Sequence, residues 1–104
     1  MTSSSGIREY CNRDGFEARC NDKEVIIMTS ARYGRMRLGK CVKVDFGYVG
    51  CSADVLGLMD QRCSGRRRCS HSNLERLLAD IRRPCLGDLK SYLEASYDCL
   101  QGEF

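Results

Sequence analysis

The sequence has no tryptophan, one proline (Pro84) and one histidine (His71) in 104 residues. It has no apolar run long enough to cross a bilayer, so no transmembrane helix is expected. No Asn-x-Ser/Thr triplet occurs, so no N-linked glycan is expected. A single histidine without recognisable partners does not make a Ser/His/Asp set. No Gly-rich phosphate loop is present. No two cysteines stand as Cys-x-x-Cys; Cys63 and Cys69 are the closest pair, with five residues between them. That spacing argues against a zinc site, and no metal or other cofactor is expected. These absences leave little room for an enzyme.

What the chain has in excess is cysteine, eight in all. An even count in a domain this small reads as a disulfide framework in an oxidising compartment, so the expected location is extracellular. Eight cysteines can pair in about 105 ways, and spacing alone does not choose among them. Each bridge is worth roughly 2–4 kcal/mol, which matters for a polar chain with a thin apolar complement. The opening residues, Met1-Thr-Ser-Ser-Ser-Gly6, lack the apolar stretch of a secretory leader. The expectation is a piece of a longer secreted or membrane-anchored protein, with residues 1–6 as a disordered tail or expression remnant and 7–104 as one domain. Any contact with a membrane would then come through the parent protein.

The formal charge is +3, too mild to imply a nucleic-acid partner. The positive residues cluster: Arg32, Arg35, Arg37 and Lys40; Arg66, Arg67 and Arg68; Arg82 and Arg83. They read either as solvated loops or as a basic patch for an acidic partner such as heparan sulfate. The acidic pairs, Asp14 with Glu17 and Asp22 with Glu24, read as solvated turns.

Asn12-Arg13-Asp14-Gly15 reads as a turn with Gly15 at positive φ, and Asn21-Asp22-Lys23 as another. Phe16 to Cys20 alternates apolar and charged residues, as a half-buried strand does. Glu24 to Ala31 is rich in β-formers and predicts a strand that pairs with Phe16–Cys20 as a hairpin. Gly34 suggests a bend from which Tyr33 and the neighbouring arginines project. Cys41 to Tyr48 alternates Val42, Val44 and Phe46 against Lys43 and Asp45, predicting an irregular strand or long loop. Ser52 is placed to cap a helix carrying Val55, Leu58, Met59 and Arg62, which Cys63-Ser64-Gly65 ends. Ser72 and Glu75 form a capping box for a second helix. Its Leu74, Leu77, Leu78 and Ile81 fall on one stripe, and Pro84 stops it. His71 reads as a solvated or capping residue beside this helix. Lys90 to Cys99 predicts a closing strand, with Leu93, Ala95, Tyr97 and Cys99 on one face and Tyr92, Glu94, Ser96 and Asp98 on the other. The sum is an α+β domain: a small disulfide-stapled antiparallel sheet with two short helices and long loops.

Three segments carry a resemblance. They are Val25-Ile-Ile-Met-Thr-Ser-Ala-Arg-Tyr-Gly-Arg35, Gln61-Arg-Cys-Ser-Gly-Arg-Arg-Arg-Cys69, and Pro84-Cys-Leu-Gly-Asp-Leu-Lys-Ser-Tyr-Leu-Glu-Ala-Ser-Tyr-Asp-Cys99. In this order, with eight cysteines, the chain from Tyr10 to Cys99 resembles the galactose/rhamnose-binding lectin domain of the sea urchin egg lectin (SUEL) type, found also in latrophilins and EVA-1-type guidance receptors. The resemblance implies the pairings Cys11–Cys41, Cys20–Cys99, Cys51–Cys85 and Cys63–Cys69. It implies a glycan partner of the rhamnose or galactose type, in a surface adhesion or guidance receptor.

Mapped onto this chain, the family's sugar site falls at Asn12, Tyr33, Arg83, Gly87 and Lys90. Tyr33, Gly87 and Lys90 match the family pattern. Asn12 stands where the family has a glutamate, and Arg83 where it has an aspartate. A carboxylate accepts charge-assisted bonds from sugar hydroxyls, each worth roughly 1.5–3 kcal/mol. An amide makes only a neutral bond, and Arg83 only donates. The altered pair leaves two other partners in view: an extracellular protein, or heparan sulfate bound through the arginines.

Overall fold

The computed structural model describes residues 2–4, 6–44, 49–79, 81, 85 and 91–101. In chain order these form β1 (Thr2–Ser4), β2 (Arg8–Cys11), β3 (Phe16–Arg19), β4 (Glu24–Arg35), β5 (Cys51–Asp54), α1 (Leu56–Cys63), β6 (Arg68–His71), α2 (Leu74–Leu77) and β7 (Tyr92–Gln101). The α+β class and the antiparallel pairing are as the sequence implies.

β7 is the centre of the larger sheet. One edge pairs with β4 over most of its length, and β5 extends the sheet beyond β4. The other edge is shared, with β2 against Tyr92–Ala95 and β1 against Asp98–Leu100. The backbone of Thr2–Ser4 is thus part of the sheet rather than a disordered tail. Nothing apolar in the serine run announces it; the open edge of β7 supplies the partner.

β4 changes phase within itself. The register shifts between Met28 and Ser30, so that Met28 faces Tyr97 and Ser30 faces Ser96. Thr29 is the extra residue of a bulge. Before it Ile26 and Met28 point inward; after it Ala31, Tyr33 and Arg35 do. The bulge polar groups are satisfied locally, since the Ser96 hydroxyl bonds those of Thr29 (2.7 Å) and Ser30 (2.8 Å). β7 keeps one phase throughout, and its Leu93 and Ala95 are fully buried opposite Tyr33 and Ala31. Its opposite face, Tyr92, Glu94 and Ser96, is buried as well.

The core closes under this sheet with Val55, Met59 and Cys63 from α1 and its entry, Phe16 and Ala18 from β3, Cys69 from β6, and Leu74 and Leu78. The Tyr10 and Phe16 rings meet edge to face at 4.8 Å. The four bridges pair as the resemblance implies, with Cα separations of 5.3 to 5.6 Å.

Several local expectations are corrected. Phe16–Arg19 and Glu24–Arg35 do not form a hairpin; β3 pairs with β6 instead. The turn between them places Lys23 at φ 66° and turns the chain into the other sheet. β4 runs on through Arg35, so Gly34 is not a bend from which side chains project: Tyr33 and Arg35 are buried. Gly34 serves a close approach, because a Cβ there would overlap the Cys51 carbonyl oxygen. Val42 is buried but Val44 is 53% exposed, so they do not share a face; Asp45 to Tyr48 lie outside the described residues. Ser52 sits in β5, and Asp54 caps the approach to α1 by accepting from the Leu56 N–H at 2.9 Å. α2 is capped by Asn73, whose side chain accepts from the Arg76 N–H at 3.0 Å, not by Ser72. It ends early because the chain tightens into three-residue bonds, Ala79 N–H to Arg76 O and Ile81 N–H to Leu78 O. The stripe nevertheless packs on the core.

Candidate binding site

Four segments meet beside the first disulfide. Asn12 leaves β2 in a tight turn, because the N–H groups of Asp14 and Gly15 both donate to the Cys11 carbonyl (3.0 and 3.1 Å). Gly15, at φ 73°, lies so near the backbone of His71 that a Cβ would collide with it. The Cys11–Cys41 bridge pulls in the Lys40 loop, and the Lys40 N–H donates to the Glu9 carboxylate at 3.1 Å. α2 contributes Glu75, and Ser91, the residue before β7, is also there. Together Cys11, Asn12, Asp14, Lys40, Glu75 and Ser91 line most of a cleft of about 420 Å³.

Asn12 is its hinge. Its Oδ1 accepts from the Tyr33 hydroxyl at 3.1 Å, and its Nδ2 donates to Glu75 Oε1 at 3.4 Å. The first bond fixes the amide orientation, and the second brings the Glu75 carboxylate beside Asn12. Across the cleft the Lys40 ammonium stands 3.6 Å from the Asp14 carboxylate, with both side chains more than half exposed. A pair this solvated is worth little and can open to a ligand. The cleft therefore offers carboxylate acceptors, a cationic donor and small polar groups at one mouth. That set suits vicinal hydroxyls, which both donate and accept.

Of the five residues assigned to the sugar site, Asn12 and Tyr33 are brought into direct contact, with Tyr33 acting from below as a buried support. Arg83, Gly87 and Lys90 lie outside the described residues, as do Arg82 and Pro84. Glu75 was missed, because its spacing from Ser72 reads as a cap; no local signal reveals that the side chain turns to Asn12.

The residues expected to form a basic patch are held by different partners. Arg35 is buried and donates to the Val44 carbonyl at 3.0 Å. Arg37 pairs with Glu94 at 3.0 Å, and Arg32 donates to the Ser52 hydroxyl at 3.2 Å. Arg67 pairs with Asp22, while Arg68 is exposed on β6 opposite Arg19. The continuation of β4 through Arg35 separates residues that a bend would have grouped. His71 ends β6 half-buried, and its pKa is lowered first by burial and then by Arg62 and Arg66. His71 lies near Cys63 and Cys69, but those sulfurs are bonded to each other and have no thiolate to give a metal.

A family model described as the D-galactoside/L-rhamnose binding SUEL lectin domain matches residues 18–99. The chain belongs to the SUEL lectin family. A SUEL domain is a binding fold rather than a catalytic one. The chain is also similar to Adhesion G protein-coupled receptor L1 of Mus musculus, Bos taurus and Homo sapiens, at 34% identity over 93 residues in each case. The match covers 86% of this chain and 6% of each receptor, so this SUEL domain spans a small fraction of the curated relatives it matches.

Proposed function

We propose that this domain is the extracellular glycan-recognition module of a larger cell-surface protein, and that the cleft around Asn12 takes a neutral sugar of the galactose or rhamnose type. The observation that carries the reading is the Tyr33–Asn12–Glu75 chain of hydrogen bonds. Glu75 stands in for the carboxylate missing after Cys11, and the Tyr33 hydroxyl holds the amide that connects them. Lys40 and Asp14 supply a further donor and acceptor at the mouth. The family's pattern assigns Gly87 and Lys90 to the same site, where Arg83 replaces the family's aspartate.

The test is calorimetric titration of the domain with L-rhamnose and D-galactose, beside the variants Glu75→Ala and Asn12→Ala. Binding at millimolar sugar is expected, and Glu75→Ala should weaken it by roughly 1.5–3 kcal/mol, the worth of a charge-assisted bond. Glu75 is exposed, so the variant keeps the fold. An absence of heat at millimolar sugar overturns the reading. So does an extracellular protein partner whose binding ignores free sugar while Asn12→Ala abolishes it.

A further inference from the structure

A second depression, of about 450 Å³, is lined in part by Arg76 and Leu77 of α2. Arg62 reaches it from the last turn of α1, His71 from the end of β6, and Arg76 from α2, with Ser70, Ser72 and Asn73 between them. No aspartate or glutamate is among its lining residues. This sets it apart from the depression lined by Arg19, Arg67 and Arg68, which includes Asp22. Arg19, Arg37 and Arg67 each meet a carboxylate, whereas among the described residues neither Arg62 nor Arg76 is in a salt bridge. Two guanidinium groups held in one concavity repel each other, and nothing on the protein's own described surface there offsets the repulsion. The His71 proton affinity is lowered first by burial and then by Arg62 and Arg66, so the positive charge of Arg62 is felt at His71 as well.

We propose that this depression binds an anionic substituent, a sulfate ester, carried on a saccharide. Guanidinium forks match tetrahedral and carboxylate oxygens with paired N–H groups, and the neighbouring serine hydroxyls add neutral donors. The ligand is a saccharide because the two concavities share α2 as a wall. Glu75 lines one and Arg76, the next residue, lines the other. A glycan seated by its hydroxyls at Asn12 and running along α2 would present a neighbouring sugar's sulfate to Arg76. This part of the inference rests on the glycan reading above; the anion site itself does not.

The experiment compares three probes: an O-sulfated galactan oligosaccharide, the same oligosaccharide after desulfation, and inorganic sulfate. Each is titrated into the native domain, the double variant Arg62→Ser/Arg76→Ser, and a control, Arg66→Ser/Arg67→Ser/Arg68→Ser. All the altered side chains are exposed, so the fold is retained. The native domain should bind the sulfated oligosaccharide more tightly than either other probe. The double variant should lose about tenfold or more of that affinity, and the control much less. L-rhamnose binding should be unchanged in both. A loss below about tenfold in the double variant, or a loss in the control as large as in the double variant, overturns the site. Inorganic sulfate binding as tightly as the oligosaccharide overturns the saccharide assignment. Loss of rhamnose binding with sulfated binding intact would sink the glycan cleft and spare the anion site.

Discussion

The β4–β7 pair and the rim around Asn12 are two differently built regions of one small domain. In the pair, Ile26, Leu93 and Ala95 are each wholly buried, and backbone bonds run along the strands. In the rim, Arg37 to Lys40 are exposed, and the loop is held by the Cys11–Cys41 bridge and the Lys40–Glu9 bond. The pair supplies stability through apolar burial; the rim is positioned by a covalent bond and a few polar ones. Side chains at the rim can therefore change without loss of the fold.

The largest expected effect lies in the pair. Leu93→Ala should cost about 2–5 kcal/mol in denaturant unfolding, through lost burial and the cavity left behind. A cost below about 1 kcal/mol would show that the core is not where stability resides.

Removing the rim's bridge with Cys11→Ser/Cys41→Ser should cost about 2–4 kcal/mol. Here the sharper readout is local. Hydrogen exchange should quicken at the Lys40 loop while β4 and β7 stay protected, and sugar affinity should fall. Uniform loss of protection would erase the distinction between the regions.

Tyr33→Phe joins the two regions, because Tyr33 is anchored in β4 and its hydroxyl serves Asn12. Its stability cost should be about 0.5–1.5 kcal/mol, with a clear loss of sugar affinity. Unchanged affinity would mean that the amide is held by Glu75 alone.

The smallest effect is a pH slope. The His71 pKa is lowered, so between its folded and ordinary values the unfolded chain binds more protons. Stability should fall as pH drops through that window below the ordinary histidine value, and His71→Gln should flatten the slope. A slope unaltered by this substitution would place the titration elsewhere.

The sequence made the pair far more legible than the rim. Both faces of β7 follow from simple alternation, and the β-rich run of Val25 to Thr29 marks the start of β4. The bulge at Thr29 does not announce itself, and with it the inward turn of Tyr33 and Arg35 was hidden. The partner of β3 was also hidden, since His71 and Arg68 lie some fifty residues away from it in sequence and carry no apolar alternation. Pairing of the cysteines came from family resemblance, because spacing is silent on contacts such as Cys20 with Cys99. In the cleft, Asn12 and Tyr33 were visible as family positions. Glu75 was not, because a short-range cap and a long-range contact look alike in one dimension.

The central claim, that a sugar sits against Asn12 and Glu75, is tested most directly by following backbone and side-chain amide resonances while L-rhamnose is added. The account predicts saturable shifts at the Asn12 side-chain amide, Lys40, Glu75 and Ser91, with β3 and β6 silent, and their disappearance in Glu75→Ala. Shifts confined to other surfaces, or none at saturating sugar, would contradict it.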